Sequence, residues 1–81
     1  MTREKVIEIT NKFLVEEIEL TAPLTEDAHL KDDLGIDSLD FVDIVVIVER
    51  HFGFKIQAEE MREIHTLGRF YDYILSKETK S

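Results

Sequence analysis

The sequence predicts an all-α fold: a small antiparallel bundle of three main helices and one short helix, with a long first loop. Three observations lead there. Apolar residues recur at helical spacing in three separate segments. Each of those segments begins at a Thr, Asp or Ser suited to cap a helix. Between the first two lies a stretch, residues 19–36, that is rich in turn-formers and has neither helical nor strand periodicity.

The first segment covers residues 3 to 18. Val6, Ile9 or Thr10, Phe13 and Ile18 lie near helical spacing, with Ile7 and Leu14 beside them and charged residues between. Thr2 stands where an N-cap belongs. From Glu19 to Ile36 the pattern dissolves. Pro23 biases Ala22 away from helix, and Thr25, Asp27, Asp32, Asp33 and Gly35 favour turns. Leu20, Leu24, Leu30, Leu34 and Ile36 are expected to pin this connection to the core. Connections of that length are often functional.

The second segment, SLDFVDIVVIVERHF, is ambiguous by composition, because its β-branched run would suit a buried strand. Its length exceeds that of most strands. Asp37 or Ser38 supplies an N-cap, acids in the first turn match the helix dipole, and Gly53 follows where a helix should end. As a helix it carries two apolar stripes. Phe41, Ile44, Val45, Val48 and Phe52 form the expected core face. Leu39, Val42 and Val46 point elsewhere, among Asp40, Asp43 and Glu49. Either this second stripe is a docking surface rimmed by acids, or the helix is central and buried nearly all round.

Phe54-Lys55-Ile56 reads as a short extended link. Residues 58–63 make one or two helical turns anchored by Met61 and Ile64. Thr66 caps a last helix with Leu67, Phe70, Tyr71, Ile74 and Leu75 on one face, and the tail KETKS is polar and expected to fray. The 81 residues are expected to form a single domain, ordered from about 3 to 76.

Composition bounds the function. A chain of this size buries roughly 60% of its unfolded surface, which supports one thin core and leaves little room for an enclosed substrate cavity. Cysteine is absent, so no disulfide, thiolate nucleophile or Cys-based zinc site exists. No apolar run approaches membrane-spanning length, and the charged N-terminus lacks the features of a signal peptide, so a cytoplasmic protein is expected. Ten basic residues face 18 acidic ones, for a net charge of −8. Nucleic acid and anionic membranes are disfavoured as partners, and proteins with basic patches are favoured.

Ser38 is the one hydroxyl set among acids at the head of the most apolar segment. Such a serine is usually only a cap. The position also suits a phosphate-bearing modification, since a helix N-terminus favours anionic charge. A serine hydrolase is disfavoured: no G-x-S-x-G elbow is present, and His51 lies about 20 Å along the same helix from Ser38. His29 and His65 have no sequence reason to approach Ser38. The aspartates miss the spacing of a calcium loop, and no metal site is expected.

Asp33-Leu34-Gly35-Ile36-Asp37-Ser38-Leu39-Asp40, followed by an apolar helix reaching Glu49 and then Phe52-Gly53-Phe54-Lys55-Ile56, closely resembles the acyl carrier proteins. The resemblance covers about residues 3 to 76. It implies that Ser38 takes up a 4′-phosphopantetheine arm from coenzyme A in a reaction run by a separate phosphopantetheinyl transferase. It implies that Asp37 helps hold the transferase metal besides capping the helix. It also implies that Leu39, Asp40, Val42, Asp43, Val46 and Glu49 form the face read by basic patches on acyl-transferring and synthase-type enzymes. Arg50, His51, Gln57-Ala58 and Phe41 depart from the common family pattern, which points to a specialised carrier with its own partner set.

The expectation is therefore a stand-alone, monomeric acyl carrier protein and not an enzyme. It would hold acyl intermediates as thioesters on the arm at Ser38, in fatty acid or specialised lipid or polyketide-like biosynthesis. An aminoacyl carrier of the D-alanyl type is the nearest alternative. An unmodified acidic helical adaptor is the alternative of another class.

Overall fold

The chain enters its first helix through Thr2, whose hydroxyl accepts the Lys5 N–H at 3.2 Å. The computed structural model describes residues 1–79. Among them stand four helices: α1 (Arg3–Glu16), α2 (Ser38–Phe52), α3 (Ala58–Met61) and α4 (Leu67–Thr79). There is no strand among the described residues beyond one isolated bridge, so the predicted all-α bundle with a long first loop is what forms. No described helix is long and apolar enough to cross a membrane.

Each long helix turns one apolar arc inward. α1 buries Val6, Thr10, Phe13 and Leu14, and α4 buries Leu67, Phe70, Tyr71 and Ile74 against it. α2 packs on α3, whose Met61 is fully buried. The buried arc of α2 differs from the expected one. Ile47 is inside, while Val45 and Phe52 are only half-buried. Phe41, Ile44 and Val48 are buried as expected, and Ile47 joins them in place of Val45 and Phe52, a choice that periodicity alone leaves open because both flanks are apolar.

Helix ends follow local chemistry. α2 stops at Gly53, in the left-handed region with φ 83°, where its N–H bonds the Glu49 carbonyl at 2.9 Å. α1 ends two residues earlier than the periodicity suggests, at Glu16. Its exit places Glu19 at φ 62° and sends the Leu20 N–H back to the Leu14 carbonyl at 3.0 Å. α3 is shorter than residues 58–63; beyond Met61 the chain tightens into i→i+3 bonds from Glu63 to Glu60 and from Ile64 to Met61. α4 starts on Thr66, whose hydroxyl accepts the Arg69 N–H at 3.3 Å. It continues through Lys77 and Glu78 to Thr79, so that part of the predicted fraying tail is helical. The last two residues of that tail lie outside the described residues.

The first loop is tied down by backbone bonds as well as by side chains. Leu30, Leu34 and Ile36 are buried, Leu20 and Leu24 half-buried, and Ala28 joins the core. The Leu30 N–H donates to the His65 carbonyl at 2.9 Å, the Leu67 N–H to Ala28 at 2.9 Å and the Gly68 N–H to Glu26 at 3.0 Å. His29 and Thr66 thereby form an antiparallel bridge. The approach at Gly68 favours a residue without Cβ: one built there would sit 3.1 Å from the Glu26 carbonyl oxygen, so the loop would have to give way slightly. Arg3 adds a clamp, with Nε 2.8 Å from Asp72 Oδ1 and Nη1 3.0 Å from Glu26 Oε2. It joins α1, the loop and α4.

Candidate functional site

The head of α2 is built by Asp37. Its backbone is extended, and its Oδ1 accepts the Leu39 N–H at 3.0 Å and the Asp40 N–H at 3.1 Å. Asp40 Oδ2 returns the contact by accepting the Asp37 N–H at 3.2 Å. This reciprocal box decides between the two candidate caps. Asp37 caps, and Ser38 is the first helical residue. Freed from capping, the Ser38 side chain is exposed, and its hydroxyl has no hydrogen-bond partner among the described residues.

A cleft of about 450 Å³ opens beside Ser38. Leu30, Ile36, Phe41 and Ile64 give it an apolar lining, and His29, Lys31, Arg62 and His65 give it a basic one, with Asp32 and Asp37 also on its wall. His29 and His65 thus come to the neighbourhood of Ser38, against the sequence expectation. The bridge between His29 and Thr66 carries them there, and no sequence motif signals it. Neither imidazole bonds Ser38 or pairs with a carboxylate among the described residues, so the oriented base of a serine hydrolase is not assembled.

His51, at the far end of α2, faces α1. Its ring stacks on Phe13 with centroids 5.7 Å apart, and its Nε2 lies 3.0 Å from Glu17 Oε2. Arg50 pairs with the other oxygen of the same carboxylate. The His51 contact first, and Arg50 after it, hold the Glu17 carboxyl below its ordinary value. Arg50 and His51, two of the three departures from the family pattern on this helix, are therefore occupied in joining α2 to α1.

The second stripe of α2 is in solvent. Leu39 is 79% exposed, Val42 56% and Val46 58%, which excludes the alternative of a helix buried all round. Asp43 and Glu49 are exposed beside them, and Asp40 is partly so. Isolated apolar surface residues are ordinary, but these three stand in one row on one helix, rimmed by carboxylates.

Comparison with known proteins agrees with this geometry. The family described as phosphopantetheine attachment site matches residues 6–74. An acyl carrier protein of Thermotoga maritima is 36% identical over 77 residues, covering 94% of this chain and 95% of that protein. One of Saccharopolyspora erythraea is 33% identical over 76 residues, 93% of this chain and 80% of the relative. A mitochondrial acyl carrier protein of Neurospora crassa is 41% identical over 54 residues, 67% of this chain and 40% of the relative. With the match spanning helices α1 to α4 and the exposed serine at its centre, the chain belongs to the acyl carrier protein family, whose defining feature is a phosphopantetheine attachment site.

Proposed function

We propose that the protein is a cytoplasmic carrier of acyl intermediates, with Ser38 as the point of phosphopantetheine attachment. The observation that carries this reading is the exposed, unpartnered Ser38 hydroxyl on the first turn of α2. The surroundings fit the group. The neighbouring cleft offers apolar surface for an uncharged chain and basic side chains for its phosphate end. Once attached, the arm supplies the thiol that this cysteine-free sequence lacks.

The chain's own part in the loading step is limited. Ser38 Oγ forms a bond to phosphorus while the pyrophosphate bond of coenzyme A breaks and the adenosine bisphosphate portion leaves. The hydroxyl proton passes to a base on the transferase, because no base among the described residues bonds Ser38. Asp37 holds the first turn open and keeps a carboxylate beside the serine, where the transferase metal would find it. This division of labour makes the protein a substrate and not an enzyme.

Leu39, Asp40, Val42, Asp43, Val46 and Glu49 serve as the docking face. Apolar side chains anchor a partner while carboxylates steer basic patches towards it. A small, charge-steered contact forms quickly and releases readily, as a carrier visiting several enzymes requires. The filling of the core by Phe41 one turn from Ser38, and the tying of Arg50 and His51 to Glu17, support a carrier specialised for its own lipid or polyketide-like pathway.

Intact mass after incubation with coenzyme A, magnesium and a broad-specificity transferase tests the reading. The protein should gain one phosphopantetheine, and Ser38→Ala should gain nothing while keeping its helical circular dichroism. An unmodified wild-type chain under conditions that load a control carrier would refute it.

A further inference from the structure

The capping box has a consequence for any anion at Ser38. A helix start ordinarily offers several backbone N–H groups to a phosphate. Here the Asp37 carboxylate already accepts the Leu39 and Asp40 N–H groups, and the Phe41 N–H bonds the Asp37 carbonyl. The same carboxylate places negative charge beside the serine. That leaves few helix N–H groups for a phosphodiester formed at Ser38, which gains from donors elsewhere.

The structure holds such donors next to the serine. His29, Lys31, Arg62 and His65 all line the cleft that Ser38 opens into. None of the four side chains forms an ion pair among the described residues, although the chain carries 18 acidic residues against ten basic ones. By contrast Arg3, Arg50 and Lys77 are paired with carboxylates. The acids on this wall are Asp32 and Asp37, and Asp37 is committed to the helix backbone. In a molecule of net charge −8, a concave surface with two unpaired cations and two imidazoles is a local exception. Arg62 is the strongest candidate donor, because the guanidinium fork matches phosphate oxygens. Ile36, Phe41 and Ile64 supply apolar surface in the same cleft for the uncharged part of a chain.

We propose that the phosphodiester of a group attached at Ser38 is held in this cleft by Arg62, with Lys31 and His65 as secondary donors, so that the arm lies towards residues 62–65. This rests on the assignment of Ser38 as the attachment point. It adds that the arm has a seat built from residues of this chain, with Arg62 as its positioning residue.

The test separates the two layers. The protein is loaded with phosphopantetheine, loading is verified by intact mass, and amide spectra of the unloaded and loaded forms are compared by NMR. The expected result is a set of shift changes at residues 62–65 and 29–31 in addition to those flanking Ser38. The phosphorus resonance should be broader than in loaded Arg62→Ala, where the remote shifts should be lost. Arg62 is exposed, so that variant keeps the fold, which circular dichroism verifies. Full loading with shifts confined to the start of α2 and a phosphorus line unaffected by Arg62→Ala would overturn the seat and leave the carrier reading intact. Failure to load would remove both.

Discussion

Asp37 caps α2 and is proposed to serve the transferase metal, and substitutions can divide the two roles. Asp37→Asn keeps an oxygen for the Leu39 and Asp40 N–H groups, so its stability should stay within a few tenths of a kcal/mol of the parent, while the rate of phosphopantetheine transfer falls. Asp37→Ala removes the cap as well and should cost about 1 kcal/mol. Urea unfolding and a mass-based loading assay on both variants check this. Glu19 is a different case, a residue with a side chain held at φ 62° where helices commonly end on Gly. Glu19→Gly relieves that conformation and should stabilise the protein by up to about 1 kcal/mol, read as a higher urea midpoint with unchanged slope. Thr10 buries its hydroxyl in the core without a hydrogen-bond partner among the described residues. Thr10→Val should therefore be neutral or stabilising, by about 1 kcal/mol at most.

At the scale of the element, α2 divides its labour by face. Ile44 is 1% exposed and Val46 58% exposed, only two positions apart on one helix. Ile44→Ala should cost about 2–5 kcal/mol, because it leaves a cavity in a packed core. Val46→Ala should change stability by no more than about 0.5 kcal/mol, yet slow transfer to or from partner enzymes. Equilibrium unfolding together with loading kinetics on the two variants distinguishes a core face from a docking face. If Val46→Ala loaded and transferred at parental rates, the exposed stripe would be no part of recognition.

Across the whole molecule, charge sets the balance. A net charge of −8 on a chain this small opposes compaction, so added salt or magnesium at low ionic strength should raise the melting temperature. Specific pairs act against that background. Arg3 holds the Glu26 carboxyl below its ordinary value, chiefly through their side-chain hydrogen bonds. A carboxyl whose folded pKa is depressed stabilises the fold above its unfolded value and loses that contribution as pH falls through the folded one. The stability difference between the parent and Arg3→Gln should thus be present at neutral pH and shrink as pH falls below the ordinary carboxylate range. Thermal melts of both proteins across that range measure it, and taking the difference cancels the relief of general repulsion on acidification.

Helix positions were legible along the chain because they rest on local rules: apolar residues one turn apart, Thr2 and Thr66 as caps, and Gly53 as a stop. The serine at the head of α2 was legible for the same reason. Which of two adjacent residues caps α2, and which of two apolar flanks faces inward, was not. The first is settled by the reciprocal Asp37–Asp40 box, and the second depends on what packs against the helix. The basic cleft was not legible either, since it joins residues 29–32 to residues 62–65 through backbone bonds between a loop and the start of α4. Periodicity and capping, acting within a few residues, determined this protein's elements and its exposed hydroxyl. Long-range hydrogen bonding and packing, which carry no signature in local sequence, decided what surrounds that hydroxyl.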